Sequence, residues 1–225
     1  MANYAIMRFK KLKTKNEIMG ALKHAFREIP TPNADSSVKN VKFKDMPKSA
    51  DEAYQRHESM LPEKHRKDAV KCLEFMVTAS DVKSLPEEQQ MAYFRKALQY
   101  ISARCGGREN VIHAEIHLDE TEPHLTLFIT PKNEFGRLSG AEMVGKGPKA
   151  VREFQTEFYE KVAKEFGFQR GIIKDKPRQH EELRDYMSKV SKLENEVYSL
   201  RAENAELKQK LQKYEPKPTN TFKPY

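Results

Sequence analysis

The sequence predicts an α+β domain, an antiparallel sheet with packed helices, followed by a C-terminal parallel dimeric coiled coil. Three patterns lead to this prediction. Apolar and polar residues alternate over residues 111–118 and 124–129, which is typical of two strands joined by a short connection. Apolar stripes at helical spacing lie before and after these strands. From Leu183 onward a heptad repeat replaces both patterns.

The first strand and the first helix are predicted close to the N-terminus. Residues 3–9 have the apolar content of a strand. Thr14 and Glu17 have the form of a capping box, so a helix is expected to begin there and to end at Pro30 and Pro32. Its apolar stripe consists of Ile18, Leu22, Ala25 and Ile29.

The middle of the chain alternates between irregular segments, strands and helices. Residues 31–68 are polar and interrupted by prolines, so we expect an irregular segment with a short helix around residues 51–60. Residues 71–79 predict a buried strand, and residues 84–87 have a cap signature for the next helix. After the two alternating strands, residues 132–149 are rich in Gly and Lys and are expected to form a loop. The stripe of a further helix consists of Val151, Phe154, Phe158, Val162 and Phe166.

Positive charge is concentrated near the N-terminus. The net charge is +8, and residues 1–50 hold eleven Lys and Arg against four Asp and Glu, which is +7 of that total. A basic excess confined to one segment favours a polyanionic partner, most often nucleic acid. A basic surface that only aids solubility is the alternative. The first candidate DNA-binding residues are Lys10, Lys11, Lys13 and Lys15.

The cysteine content and the apolar runs of the sequence predict the cellular compartment. Cys72 and Cys105 are too few and too scattered for a disulfide framework or a thiolate zinc site. No N-terminal apolar segment resembles a signal peptide, and no apolar run approaches the length of a membrane span. We therefore expect a cytoplasmic protein without a membrane span.

The heptad repeat predicts a homodimer. Val at position a, Leu at position d and a single Asn at a favour two parallel helices. The g-to-e′ pairs are all opposite in charge: Lys189–Glu194, Glu196–Arg201, Glu203–Lys208 and Lys210–Glu215. A helix that folds back on its own domain is the alternative. The predicted dimerisation seam contains Val190, Leu193, Val197, Leu200, Asn204, Leu207 and Leu211.

Two groups of residues are candidates for chemistry. The predicted strand pair could bring His117 and His124 together beside the acidic connection, and imidazole with carboxylate suits a divalent metal such as Mn²⁺ or Mg²⁺. A hydrophilic hairpin with an Asx turn at Asp119 is the alternative. His24 and Arg27 share a helix face, where they could supply a nucleophile and a phosphate-binding cation, or form a solvated polar face.

Three segments carrying these residues resemble motifs of the plasmid mobilisation/recombination (Mob/Pre, MobV-type) relaxases. His24-Ala-Phe-Arg27 resembles the family's His-x-x-Arg motif. Residues 66–72 match its Arg-Lys-Asp-Ala-Val segment, which adds Arg66 and Lys67 to the candidate DNA-binding residues. Residues 117–124 are similar to its His-x-Asp-Glu-x-x-Pro-His block. The likeness covers roughly residues 1–175.

The resemblance implies a fold of the histidine-hydrophobe-histidine (HUH) endonuclease kind and nicking of one strand at a plasmid transfer origin by transesterification. It implies that His24 becomes joined to the 5′ phosphate, that Arg27 holds phosphate or DNA, and that Glu120 is the acidic catalytic residue. It also implies that His117 and His124 are two of three histidines that bind Mn²⁺ or Mg²⁺. The implied partners are single-stranded and hairpin origin DNA, a second copy of the chain and a coupling protein.

The sequence departs from the family pattern at the third metal histidine, where it has Thr126. Our hypothesis is that Glu115, or else Thr126 with a water, completes the site. The alternative function is a dimeric, non-catalytic origin-binding protein with a degenerate relaxase site. If His24 is not the nucleophile, Tyr54 is the next candidate.

The expected domains are a relaxase-like nuclease/DNA-binding domain over residues 1–178, a coiled-coil helix over 179–215 and a disordered tail over 216–225.

Overall fold

The computed structural model describes residues 2–171 and 183–212. The chain divides into two units, residues 1–173 and residues 174–225. Within the described part, no helix is both long enough and apolar enough to cross a membrane.

The first unit is built around a five-stranded antiparallel sheet. The strands lie in the order β1-β3-β5-β4-β2, and every neighbouring pair in this order is antiparallel. The predicted fold class, an α+β domain with an antiparallel sheet, is therefore confirmed. The strands are β1 (Ala5–Leu12), β2 (Val41–Lys42), β3 (Cys72–Ala79), β4 (Val111–His117) and β5 (His124–Ile129).

Helices cover both faces of the sheet because alternate residues of each strand point to opposite sides. Leu73, Phe75 and Val77 of β3 lie in the larger apolar core with side chains of α3 and α5. Cys72 and Phe128 lie in the smaller core with α1 and α2. The helices of this unit are α1 (Lys15–Ala25), α2 (Ala50–Met60), α3 (Glu87–Arg104), α4 (Gly140–Val144) and α5 (Gly147–Lys161).

Helix α1 begins as predicted but ends earlier. Thr14 is the N-cap, and both hydrogen bonds of the capping box with Glu17 are present. The helix ends at Ala25 rather than at the prolines, because Arg27 adopts a left-handed conformation with φ 59°. Ile29 therefore lies outside the helix and is 39% exposed, so its assignment to the apolar stripe was wrong.

Several other boundaries differ from the predictions. The first strand runs from Ala5 to Leu12, three residues further than expected. Helix α3 has Pro86 at its N-cap position without a side-chain cap, so the cap signature at Ser84 was wrong. The expected loop over residues 132–149 contains α4 and the start of α5. Strand β2, which has only two residues, was not predicted because so short a segment carries no periodic pattern.

The second unit consists of one described helix, α6 (Leu183–Gln212). Five apolar side chains of the predicted seam are exposed on it, from 46% for Val197 to 65% for Leu211, and Val190 is half-buried. An exposed apolar row on a long helix is compatible with a coiled coil, and pairing with a second copy stays a prediction. The predicted tail, residues 216–225, and the outer ends of the predicted coil lie outside the described residues.

The buried histidine of α2 gives the fold a testable pH dependence. His57 is fully buried, its Nδ1 lies 2.9 Å from Oγ1 of Thr130, and burial lowers its pKa to about 4. Between pH 6.5 and 4 the unfolded chain binds a proton at this position and the folded chain does not. Each pH unit in this window therefore lowers the free energy of unfolding by up to about 1.4 kcal/mol.

We expect His57→Gln to lower by about one the number of protons that the chain takes up on unfolding in this pH window, because Gln does not ionise. Urea unfolding followed by circular dichroism at pH 7, 6 and 5 measures the slope. His65→Gln, a change at an exposed histidine, is the control and should keep the wild-type slope. Equal slopes in wild type and His57→Gln would contradict the pKa assigned to His57.

Candidate active site

His24 lies in the last turn of α1, on the sheet face that carries the strand histidines. Its ring is exposed at the surface, so a large substrate could reach it. Partial burial and then the positive charge of Arg27 lower the pKa of His24, while the nearby Glu120 carboxylate opposes this. At neutral pH the imidazole is therefore uncharged, and a ring nitrogen has a lone pair available for attack.

Arg27 joins the end of α1 to the connection between β4 and β5. Its Nε and Nη2 donate to the two carboxylate oxygens of Asp119, each at 2.7 Å. Nη2 also lies 2.7 Å from Oε1 of Glu120, and Nη1 donates to the backbone oxygen of His24 at 3.1 Å. The side chain is 20% exposed and its nitrogens are already engaged. In this arrangement Arg27 links the end of α1 to Asp119 and Glu120, and the phosphate or DNA contact that the resemblance implied stays a prediction.

Asp119 and Asn40 belong to the same network, although the sequence pattern indicated Asp119 only as part of the acidic connection and did not indicate Asn40. Burial alone would raise the pKa of Asp119, but hydrogen bonds from Arg27 and Asn40 lower it to about 2. Oδ1 of Asn40 accepts the backbone N–H groups of Leu118 at 2.8 Å and Asp119 at 3.2 Å. Asn40 ends residues 32–40, where the sequence departs from the family's Asn-Pro-x-Arg motif, so the resemblance did not indicate it.

His117 and His124 face each other as predicted. They are direct partners in the β4–β5 register, with ring centroids 5.1 Å apart and ring planes inclined by 22°. Burial, followed by the charges of His124 and Arg27, lowers the pKa of His117 to about 3. His117 is therefore neutral, and its 3.7 Å approach to Asp119 is not an ion pair.

The proposed third metal ligand is less clearly placed. Thr126 lies in one row across the sheet with Met76 of β3 and Glu115 of β4. The Glu115 carboxylate is buried, and its Oε2 lies 3.2 Å from Nε2 of His113. In the ranges 2–171 and 183–212, no group of three His, Cys, Asp or Glu side chains is arranged to hold a metal ion. The two-histidine pair therefore has its third ligand still to be assigned.

The six candidate DNA-binding residues are all exposed. Lys10 is close enough for its charge to act on His24. Lys15 lies over the ring of Tyr54, 4.9 Å from its centroid, and Arg66 lies 3.4 Å from Asp68.

Tyr54 is the alternative nucleophile. Burial and a hydrogen bond with Glu58 raise the pKa of Tyr54, which makes it a weaker nucleophile.

A five-stranded antiparallel sheet with helices on both faces is the fold of a plasmid relaxase domain. The chain belongs to the Mob_Pre family of plasmid recombination enzymes, whose family model matches residues 1–188.

Curated relatives support the same assignment. A plasmid recombination enzyme of Bacillus thuringiensis is 33% identical over 156 residues, which are 66% of this chain and 34% of that protein. A plasmid recombination enzyme type 3 of Staphylococcus aureus is 27% identical over 203 residues, 84% of this chain and 48% of that protein. The chain thus spans about half, or less, of the length of these relatives.

Solved structures of the MobM relaxase domain are also similar. One of them, Mn-bound and in complex with origin-of-transfer DNA of plasmid pMV158, matches with a TM-score of 0.67 and 25% identity. The match covers 82% of this chain and 98% of that domain. Another Mn-bound complex with the same origin DNA matches with a TM-score of 0.68.

Proposed function

We propose that this protein is a relaxase that nicks one strand of plasmid transfer-origin DNA and retains the 5′ phosphate on His24. The observation that carries the proposal is the position of a neutral, exposed His24 beside Glu120 and the His117–His124 pair. A nucleophile, a carboxylate and a paired imidazole site are the groups that transfer of a phosphodiester requires. The family membership and the origin DNA bound by MobM support it.

The proposed reaction is a transesterification, in which one bond to phosphorus forms as another breaks. A ring nitrogen of His24 attacks the phosphorus, a P–N bond forms and the P–O3′ bond breaks. The proton that the imidazole loses balances the proton that the departing 3′ oxygen gains. Glu120 is the carboxylate close enough to His24 to influence its charge, so we assign it the transfer of that proton. Rejoining is the reverse: the oxygen of a 3′ hydroxyl attacks the phosphorus, the P–O3′ bond forms, the P–N bond breaks, and the proton of the hydroxyl balances the one that the imidazole regains.

We propose a divalent metal, Mn²⁺ first and Mg²⁺ second, as the cofactor. His117 and His124 would hold it, since two imidazoles that face each other suit such an ion. Glu115, or Thr126 with a water, is the proposed third ligand. When bound, the metal would polarise a phosphoryl oxygen and neutralise charge in the transition state. The Mn-bound state of the similar MobM domain supports this assignment.

The remaining parts of the proposal concern binding and assembly. Lys10, Lys11, Lys13, Lys15, Arg66 and Lys67 would contact DNA phosphates. Residues 1–178 would form the catalytic domain and residues 179–215 a parallel coiled coil with a second copy, followed by a tail. A coupling protein is the further proposed partner, and the proposed compartment is the cytoplasm.

A second function has one observation in its favour. Thr126 stands where the family has an imidazole, so the protein could bind origin DNA as a dimer without cleaving it. The two functions predict the same affinity for DNA and differ only in chemistry.

Incubation with supercoiled plasmid carrying its own transfer origin, with Mn²⁺ or Mg²⁺, tests the proposed function. We expect a relaxed product with protein attached to the 5′ end of the nicked strand. A plasmid that lacks the origin is the control. Binding of origin DNA without any relaxed product would favour the second function instead.

Restoring the third imidazole gives a prediction about the metal. Thr126 lies on the same strand face as His124, so Thr126→His would add a ligand of the kind that Mn²⁺ accepts. We expect Mn²⁺ to bind about tenfold more tightly, or better, as measured by calorimetry. Thr156→His, on α5, is the matched control and should not change the affinity. An unchanged affinity in Thr126→His would show that position 126 does not face the metal.

A further inference from the structure

The two facing histidines differ in which ring nitrogen carries the proton. Nδ1 of His124 lies 3.0 Å from the backbone oxygen of Glu122. A carbonyl oxygen only accepts hydrogen bonds, so this nitrogen carries a proton and Nε2 has a free lone pair. A histidine that donates from one nitrogen to a backbone carbonyl is in the form that binds metal through the other nitrogen.

His117 has the opposite arrangement. Its Nδ1 lies 2.9 Å from Nη2 of Arg27 and 3.2 Å from Nδ2 of Asn40. An arginine nitrogen is always a donor. The Asn40 amide is also a donor on this side, because its Oδ1 accepts the N–H groups of Leu118 and Asp119. Asp119 and Glu120 accept the two protons of Nη2 at 2.7 Å, so the Asn40 amide is the donor that Nδ1 of His117 accepts. The ring proton of His117 therefore lies on Nε2.

A metal that uses Nε2 of His117 must therefore displace that proton to Nδ1. There it would point at the Asn40 amide and at the cationic Arg27 nitrogen, neither of which accepts a proton, and the hydrogen bond from Asn40 would be lost. Asn40 is the partner that can be changed without breaking the Arg27 contacts to Asp119 and Glu120.

We propose that Asn40 is a positioning residue that sets the ring form of His117 and thereby limits how tightly the His117–His124 pair takes a divalent metal. This rests on the proposed function, which places the metal at that pair. Asn40 acts through His117 and would not itself contact metal or DNA.

The variant Asn40→Asp separates the two roles of the side chain. One carboxylate oxygen can still accept the N–H groups of Leu118 and Asp119. The hydrogen bond from Asn40 to the Asp119 carboxylate is lost, but Arg27 still donates to both oxygens of that carboxylate. The other oxygen replaces a donor by an acceptor 3.2 Å from Nδ1 of His117, which favours a proton there and leaves Nε2 free. A carboxylate behind a metal-binding histidine changes metal affinity by about 10–100-fold in known sites.

Two measurements test the proposal on the full chain. Nitrogen NMR of the metal-free protein reports which ring nitrogen is protonated, and Mn²⁺ titration gives the affinity. In wild type we expect a proton on Nε2 of His117 and on Nδ1 of His124. In Asn40→Asp we expect the His117 proton on Nδ1 and Mn²⁺ binding about tenfold tighter.

Asn133→Asp is the matched control. Oδ1 of Asn133 also accepts two backbone N–H groups, those of Phe135 and Arg137, in the loop that follows the opposite end of β5 from His124. It should leave both the His117 proton and the Mn²⁺ affinity unchanged.

Two outcomes overturn the proposal. One is a wild-type His117 with its proton on Nδ1, which needs no variant to detect. The other is an Asn40→Asp protein whose His117 proton moves while its Mn²⁺ affinity does not rise. Mn²⁺ binding that survives His117→Ala unchanged would instead contradict the metal assignment in the proposed function.

Discussion

Replacing His24 by alanine is expected to abolish covalent capture of origin DNA and to slow nicking by at least about a thousandfold. The methyl side chain of alanine has no lone pair to attack phosphorus. The lowered pKa of His24 indicates that the wild-type imidazole is uncharged at neutral pH and therefore has such a lone pair. His24 is exposed, so the change should leave the free energy of unfolding within about 0.5 kcal/mol of wild type. The nicking rate on an origin-carrying plasmid is the measurement.

His65→Ala is the matched control for His24→Ala. His65 is also exposed, and its Nδ1 lies 3.1 Å from the backbone oxygen of Pro62, away from the site. Wild-type nicking by this variant would show that the loss is specific to position 24. Nicking by His24→Ala near the wild-type rate would place the nucleophile elsewhere, with Tyr54 tested next.

Replacing Arg27 by alanine is expected to lower the free energy of unfolding by about 2–3 kcal/mol. The change leaves the Asp119 carboxylate, which is 6% exposed, without its bidentate partner. It also frees the end of α1 from Glu120, so nicking should fall together with stability. Urea unfolding at pH 7, followed by circular dichroism, measures the loss.

The pH dependence of Arg27→Ala checks the same argument. The pKa of Asp119 is lowered from 3.8 to about 2, so its contribution to stability is present above pH 3.8 and is lost as the pH falls through 2. Without Arg27 this contribution, about 2 kcal/mol, should largely disappear at pH 7. The double variant Arg27→Ala/Asp119→Asn should therefore lose less than the sum of the two single changes.

The variant Arg27→Gly distinguishes the stability contributed by the guanidinium contacts from the strain of the backbone at position 27. Arg27 has φ 59°, a conformation that is unfavourable for residues other than Gly. Arg27→Gly should therefore lose about 0.5–1 kcal/mol less than Arg27→Ala, although both lack the same contacts. Equal losses, or an Arg27→Ala protein as stable as wild type, would contradict the role given to this residue.

The sequence predicted the central hairpin well because the information is local. Alternation over β4 and β5, with a short connection between them, is enough to place His117 opposite His124. The capping box of α1 is equally local, and it fixed the start of the helix that carries His24.

The polar network around this hairpin could not be predicted from local sequence. Asn40 contacts His117 across 77 residues, and Arg27 contacts Asp119 across 92. The segment that brings Asn40 to the site has no periodic pattern, and the left-handed turn at Arg27 has no glycine to mark it. Long-range polar contacts of this kind depend on the packed fold, so the sequence did not indicate that Arg27 contacts Asp119 and Glu120.

Identification of the amino acid that is joined to DNA tests the central claim most directly. The protein is incubated with origin DNA and Mn²⁺, digested with protease, and the nucleotide-bearing peptide is sequenced by mass spectrometry. We predict a phosphoramidate on His24, which should be cleaved by mild acid because a P–N bond is acid-labile. An acid-stable adduct on Tyr54, or on any residue other than His24, would contradict the account.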